Sequence, residues 1–146
     1  MRIKLVLVVS LFLLFPALVA MGDEIQIADQ WVAEPPPGAK MLGGYMIITN
    51  TSGKDVRLIE VSGADFGKVE MHKTIIENDK AQMVKQEYLK IGAGAQLVLK
   101  PGSYHLMLMM PKRALKEGDM TQLHFIFDSG AEISLQAEVR KKETMK

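Results

Sequence analysis

The stretch "YHLMLMM", from Tyr104 to Met110, has the alternating pattern of a β-strand. Successive side chains on a strand point to opposite faces. His105, Met107 and Met109 therefore share one face, whereas Leu106 and Leu108 take the other. The leucine face is typical of a core. The histidine and methionine face is either further packing or one wall of a site for a soft metal ion.

The rest of the chain carries the same pattern in short runs that are separated by turn residues. These runs are "IQIADQWVAE", "GGYMIITN", "VRLIEVSG", "KVEMHKTII", "QMVKQEYLKI", "AQLVLKPG", "YHLMLMM", "TQLHFIFD" and "AEISLQAEVR". About eight or nine short strands at spacings of roughly ten residues are typical of an antiparallel sandwich or barrel. With no internal repeat and no linker, the sequence predicts a single all-β domain.

The first residues have the three parts of a secretory signal peptide. Basic residues precede an apolar run from Leu5 to Phe15, and Pro16 and small residues follow it. We expect a signal peptide over residues 1–22, cleaved after Gly22 or Ala20, and a domain over residues 23–146 with a short frayed tail. The run is too short to span a bilayer of about 30 Å, although a retained anchor is the alternative. No cysteine follows it, which argues against a lipoprotein anchor. The protein is thus predicted to be periplasmic or otherwise exported, without stable membrane insertion.

Charge and composition exclude several functions. Loss of Arg2 and Lys4 leaves 16 basic against 17 acidic residues, so the net charge goes from +1 to −1. A near-neutral chain without a basic cluster argues against nucleic acid as a partner. The absence of cysteine removes thiolate chemistry and the Cys ligand of a blue-copper site. Phosphate-loop, nucleophile-elbow and zinc-helix motifs are also missing, so the sequence does not predict an enzyme.

Soft side chains lie close to two of the three histidines. In "KVEMHK", His72 points outward with Glu70 if Val69 and Met71 pack inward. Alternation therefore allows His72 and His105 to lie on a surface and not in the core. Two imidazoles with two thioethers favour Cu(I) or Ag(I) over Zn(II), and offer nothing to Ca(II) or Mg(II). The other assignments are a core position for Met41, Met46, Met71 and Met120, and a solvent-facing one for His124.

The spacing of four soft residues identifies a resemblance. Ten residues separate His72 from Met83, twenty-one separate Met83 from His105, and one separates His105 from Met107. This spacing resembles the His-x10-Met-x21-His-x-Met signature of the PCuAC family. The similarity also includes "YMIITN", "VEMHK", "LKPGSYHLMLM" and "LKEGD". Many members have methionine directly after the first histidine, where this chain has Lys73. The sequence leaves open whether Met109 or Met71 adds to the site.

The resemblance implies a single cupredoxin-like antiparallel β-sandwich or barrel that binds one Cu(I) per chain through His72, Met83, His105 and Met107. PCuAC proteins are periplasmic copper chaperones linked to assembly of the CuA centre of cytochrome c oxidase. The expected partner is then a transient acceptor, either the oxidase CuA subunit or another copper-assembly protein. The alternatives are a copper-scavenging or buffering protein without a dedicated acceptor, and a sandwich interaction module whose methionines are packing.

Two further expectations concern access to such a site. A carrier must release its metal, so we expect the site near the rim of the sheet, with Met107 partly accessible. We also expect the basic loop from Lys112 to Lys116 nearby, where it could attract an acidic acceptor.

Overall fold

The computed structural model describes residues 24–142, so the expected signal peptide and the end of the tail lie outside the described residues. These residues form ten β-strands, and no helix among them is long and apolar enough to cross a membrane. The strands are β1 (Ile25–Ala33), β2 (Met41–Asn50), β3 (Val56–Ser62), β4 (Phe66–Glu77), β5 (Lys80–Gln86), β6 (Leu89–Ile91), β7 (Gln96–Leu99), β8 (Tyr104–Pro111), β9 (Met120–Phe127) and β10 (Glu132–Arg140).

The strands are hydrogen-bonded in the order β5-β4-β8-β2-β1-β10-β9-β3-β6, and β7 also pairs with β2. One apolar core takes residues from both ends of this path, including Met71 on β4, Leu106 on β8, Val61 on β3 and Phe125 on β9. The path therefore folds over itself into two layers that face each other, which confirms the all-β sandwich. All pairs are antiparallel except β1 with β10, which are parallel and join the first strand to the last.

The predicted strands are present, with one difference. The run "QMVKQEYLKI" was expected to form one strand, but it divides into β5 and β6. The two parts belong to different edges of the sheet path, because β5 pairs with β4 and β6 pairs with β3. Leu89 and Ile91 are buried on β6, whereas most of β5 is exposed. The chain must leave one layer and enter the other, which a period-two pattern does not reveal.

A two-residue turn connects β4 to β5 and fixes their register. Asn78 and Asp79 both have positive φ, at 51° and 60°, as the turns that suit a two-residue hairpin require. Asparagine and aspartate tolerate this conformation better than most residues. The turn places Glu77 opposite Lys80 and Thr74 opposite Met83. A slip of one residue would move Met83 to the other face of the sheet.

Candidate metal centre

Three adjacent strands, β5, β4 and β8, bring the predicted site residues to one face of the sheet. His72 lies directly opposite His105 in the antiparallel pairing of β4 with β8, and Met107 lies opposite Glu70. Met83 lies opposite Thr74, two residues along β4 from His72. Opposed residues in a sheet share a face, as do residues two apart on one strand. His72, Met83, His105 and Met107 are therefore on the same face.

The opposite face of these strands belongs to the core. Met71 is only 6% exposed and packs with Leu106 and Leu108. The predicted inward direction of Met71 and outward direction of His72 are thus correct. Met46 is buried as expected, but the core positions predicted for Met41 and Met120 are wrong, because both side chains are exposed. Met41 lies opposite Met109 on the face that carries the histidines.

The two histidines turn away from the core, yet they are buried. His72 is 8% exposed and His105 is 4% exposed, so they do not take the surface position that alternation allows. A groove of about 450 Å³ lies over His105 and Met107. Its walls come from distant parts of the sequence, including Pro35 and Pro36 after β1, Pro101 before β8, and Met83. These segments cover the part of the sheet face around His105 and Met107, which alternation alone would leave to solvent.

Each imidazole has one nitrogen in a hydrogen bond and one without a partner. His72 Nε2 lies 2.9 Å from Glu70 Oε2, and His105 Nδ1 lies 3.0 Å from the carbonyl oxygen of Ser103. Both oxygens accept hydrogen bonds, so these two nitrogens carry the protons in neutral rings. Nδ1 of His72 and Nε2 of His105 are buried and have no hydrogen-bond partner among residues 24–142. Their lone pairs are therefore free, and the ring centroids are 5.8 Å apart.

Glu70 is held by three donors on the same face. Lys68 Nζ and Lys85 Nζ contact its Oε1, at 2.5 and 3.1 Å, while His72 contacts Oε2. Hydrogen bonds from Lys68, His72 and Lys85 lower the pKa of Glu70 from 4.5 to about 2. Glu70 is thus a carboxylate, and acts only as an acceptor, throughout the neutral range. Sequence alternation placed it beside His72 but assigned it no role; a Glu-x-His spacing on one strand face is the signal that points to it.

The groove also contains an aromatic side chain that sequence reasoning missed. Tyr45 packs on Trp31, with ring centroids 4.6 Å apart, and its phenol lies across Gly43. A Cβ at position 43 would collide with the Tyr45 hydroxyl and ring. Burial raises the pKa of Tyr45. Gly43 lies opposite Met107, so the phenol occupies space beside the site that any other residue at position 43 would fill.

The expected partial accessibility of Met107 is confirmed. Met107 is partly exposed, and Met83 is 60% exposed on β5, an end strand of the sheet path. The basic loop from Lys112 to Lys116 starts beyond the end of β8, away from the histidines, and its closeness to the groove stays a prediction. It follows Pro111, which pairs with Phe66, six residues along β8 from the His72–His105 pair. Six residues of strand span about 20 Å. Lys68 and Lys85 contact Glu70, which is hydrogen-bonded to His72.

His124 lies on β9, away from the site. Its Nδ1 is 2.8 Å from the Ser134 hydroxyl and its Nε2 is 3.2 Å from Glu132, with the side chain about a third exposed. The predicted solvent-facing position is therefore confirmed. Within residues 24–142, no three side chains drawn from His, Asp and Glu are placed to hold one metal ion. Met83 and Met107 offer thioethers on the face that carries His72 and His105.

Sequence comparison matches residues 25–139 to the family described as "Putative lipoprotein LpqE-like". "Uncharacterized protein RP573" of Rickettsia prowazekii is 34% identical over 96 residues, which are 65% of this chain and 53% of RP573. The chain therefore spans about half the length of this curated relative. Although the family is described as lipoproteins, the 146 residues contain no cysteine.

Two solved structures share the fold. The "Copper-bound PCuAC domain from PmoF2" is 22% identical, with a TM-score of 0.70, over 82% of this chain and 94% of that domain. The "Solution structure of CuI-DR1885" from Deinococcus radiodurans is 26% identical, with a TM-score of 0.65, over 85% of each chain. The resemblance to PCuAC domains that the sequence predicted is thereby confirmed for the fold.

Proposed function

The chain belongs to the LpqE-like family, and we propose that it is an exported Cu(I) carrier without catalysis of its own. In this proposal His72, Met83, His105 and Met107 hold one Cu(I) per chain. The cargo passes to an acceptor protein, in assembly of the CuA centre of cytochrome c oxidase. The similar structures of the PmoF2 domain and of DR1885 are copper-bound, which supports the choice of metal. The oxidase rests on the PCuAC resemblance.

The observation that carries the proposal is the pair of unpartnered buried nitrogens, His72 Nδ1 and His105 Nε2. A buried polar atom without a hydrogen bond costs about 1–3 kcal/mol. Two such atoms on directly opposed residues are expensive unless a ligand uses them. Metal-binding histidines typically donate their other N–H to a carboxylate or a backbone carbonyl, which is the arrangement at Glu70 and Ser103. The residues present therefore fit a metal ion.

The nature of the available donors favours Cu(I). Met83 and Met107 add neutral, polarisable sulfur on the same face, and soft thioethers select Cu(I) over Zn(II). The nearest carboxylate, Glu70, is occupied by Lys68, Lys85 and His72. A hard cation, which prefers oxygen ligands, is offered little here.

The exposure of the donors suits a carrier. The histidines are buried and fixed by hydrogen bonds, whereas Met83 is largely exposed on an end strand. Met83 is therefore the ligand that an acceptor could replace first, before the buried imidazoles release the ion. None of the four ligands is a thiolate, so an acceptor that offers cysteine ligands could bind Cu(I) more strongly.

Transfer to an acceptor is the decisive test. Cu(I)-loaded protein is mixed with a soluble, metal-free oxidase CuA domain, the two are separated, and copper is measured in each. We expect copper to move to the CuA domain, and Met83→Leu to lose copper more readily than the wild type. Cu(I) binding without transfer would contradict the carrier function and favour a scavenging or buffering protein. Absence of Cu(I) binding would contradict both copper functions and favour the sandwich interaction module.

A further inference from the structure

Glu70 is a charged group on the site face whose role the proposed ligand set leaves unexplained. It lies opposite Met107 and two residues from His72, so it is next to two proposed ligands. Its side chain is only 11% exposed, although it is ionised. Burying a charge is unfavourable unless it is paired and hydrogen-bonded. Two lysines and one histidine N–H are those partners. Lys68 and Lys85 contact Oε1 of Glu70, and His72 contacts Oε2.

We infer that Glu70 is a positioning residue for the copper site, and that it keeps the proton of His72 on Nε2 and the Nδ1 lone pair free for the metal. This inference rests on the proposed function, because it takes Cu(I) as the ligand of Nδ1. The carboxylate oxygen is 2.9 Å from Nε2, a good hydrogen-bond distance, and it can only accept. The tautomer protonated at Nδ1 would place the unprotonated Nε2 against the carboxylate, which is repulsive, and rotation of the ring by half a turn would put a carbon there and lose the hydrogen bond.

Lys68 and Lys85 complete the arrangement by holding the carboxylate itself. Both contact Oε1, so rotation of Glu70 away from His72 would break two ion pairs. They also keep this oxygen from acting as a hard ligand beside the soft ones. His105 needs no equivalent side chain, because the backbone carbonyl of Ser103, two residues earlier on the chain, accepts its Nδ1–H. The two rings are thus oriented by different acceptors, a side-chain carboxylate for His72 and a backbone carbonyl for His105. Only the acceptor of His72 can be removed by mutation of a side chain.

Three variants separate hydrogen bonding from charge. Glu70→Ala removes the acceptor and the charge, Glu70→Gln keeps an acceptor oxygen but removes the charge, and Glu60→Gln is the control. Glu60 is exposed on β3, which does not pair with any of the three strands that carry the site, so it undergoes the same charge change outside the network of Glu70. The first measurement is the imidazole proton–nitrogen correlation spectrum of the metal-free, nitrogen-15-labelled protein. The second is Cu(I) affinity by competition with a chelator.

We expect His72 in the metal-free wild type and in Glu60→Gln to show a single form protonated at Nε2. In Glu70→Ala, a second form should appear, and Cu(I) affinity should fall about 10–100-fold, as is typical when an outer partner of a metal-binding histidine is removed. Glu70→Gln should retain the Nε2–H form and lose less affinity, because an amide oxygen accepts the bond but more weakly than a carboxylate. Glu60→Gln should keep wild-type affinity.

Two results would overturn the inference: an unchanged His72 spectrum in Glu70→Ala, or affinity losses of equal size in Glu70→Ala and Glu70→Gln, which would assign the effect to charge. The denaturant midpoint of each metal-free variant shows whether it is folded, and Glu70→Gln serves if Glu70→Ala is not. If the wild type binds no Cu(I), the proposed function fails. The metal-free spectra then still decide whether Glu70 orients His72.

Discussion

Replacement of methionine by leucine at two positions should affect stability and copper binding in opposite ways. Met71 and Met83 lie on strands that pair with each other, but Met71 is 6% exposed in the core and Met83 is 60% exposed beside the histidines. Leucine preserves apolarity and approximate volume, and such a swap in a core costs less than about 1.5 kcal/mol. At an exposed position the expected effect is within about 0.5 kcal/mol of zero. Met71→Leu should therefore have the larger effect on the free energy of unfolding.

The effect on copper should be reversed, because leucine has no sulfur. Loss of an outer-shell partner already costs about 10–100-fold in metal affinity, so loss of a direct ligand in Met83→Leu should cost at least tenfold. Met71→Leu should leave the affinity unchanged, since Met71 faces the core. Urea unfolding of the metal-free proteins and Cu(I) competition titrations measure the two quantities on the same samples. Equal loss of affinity in both variants would refute the assignment of the site to this face.

Other predictions concern the groove and the network at Asp65. Gly43→Ala should destabilise the protein by about 1–3 kcal/mol, as overpacking does. It should also alter Trp31 fluorescence, because Tyr45, which packs on Trp31, must move. Gly53→Ala is the control: a Cβ there meets nothing within 4 Å, so neither the stability nor the fluorescence should change. Hydrogen bonds from Arg113 and Thr121 lower the pKa of Asp65 despite partial burial. Because the folded state then binds the proton less readily than the unfolded chain, the stabilisation is complete above the ordinary carboxyl pKa of about 4 and is lost as the pH falls through the lowered value. The difference in unfolding free energy between the wild type and Asp65→Asn should shrink in acid, and a difference that does not vary with pH would contradict this.

Local alternation was sufficient to predict which faces the site residues take. It predicted that His72 and Met71 lie on opposite faces of the sheet and that His105 and Met107 share one face. The prediction succeeds because the two-residue period of a strand is a property of the backbone itself. The turn at Asn78 and Asp79 then sets the position of Met83, and its residue types are readable in the sequence. The strand pattern also sufficed for the fold class.

What alternation does not encode is which faces are covered. His72 and His105 point away from the core but are buried. Pro35 and Pro101 help to wall the groove. Pro35 is distant in the sequence from both histidines, and Pro101 is distant from His72. Met41 and Met120 were expected in the core for the same reason: an apolar residue on a strand does not reveal whether another layer lies over it. The parallel pairing of β1 with β10 and the division of "QMVKQEYLKI" likewise depend on long-range contacts.

Nuclear magnetic resonance during a Cu(I) titration tests the copper site most directly. We expect the imidazole nitrogens of His72 and His105 and the methyl groups of Met83 and Met107 to shift together and to stop shifting at one equivalent of Cu(I). The strongest nitrogen shifts should be at His72 Nδ1 and His105 Nε2, the two atoms without hydrogen-bond partners among the described residues. Met46 and Met71, which are in the core, should show little change. Saturation with shifts at His124, or with the four proposed ligands unaffected, would contradict the assignment of copper to these four residues.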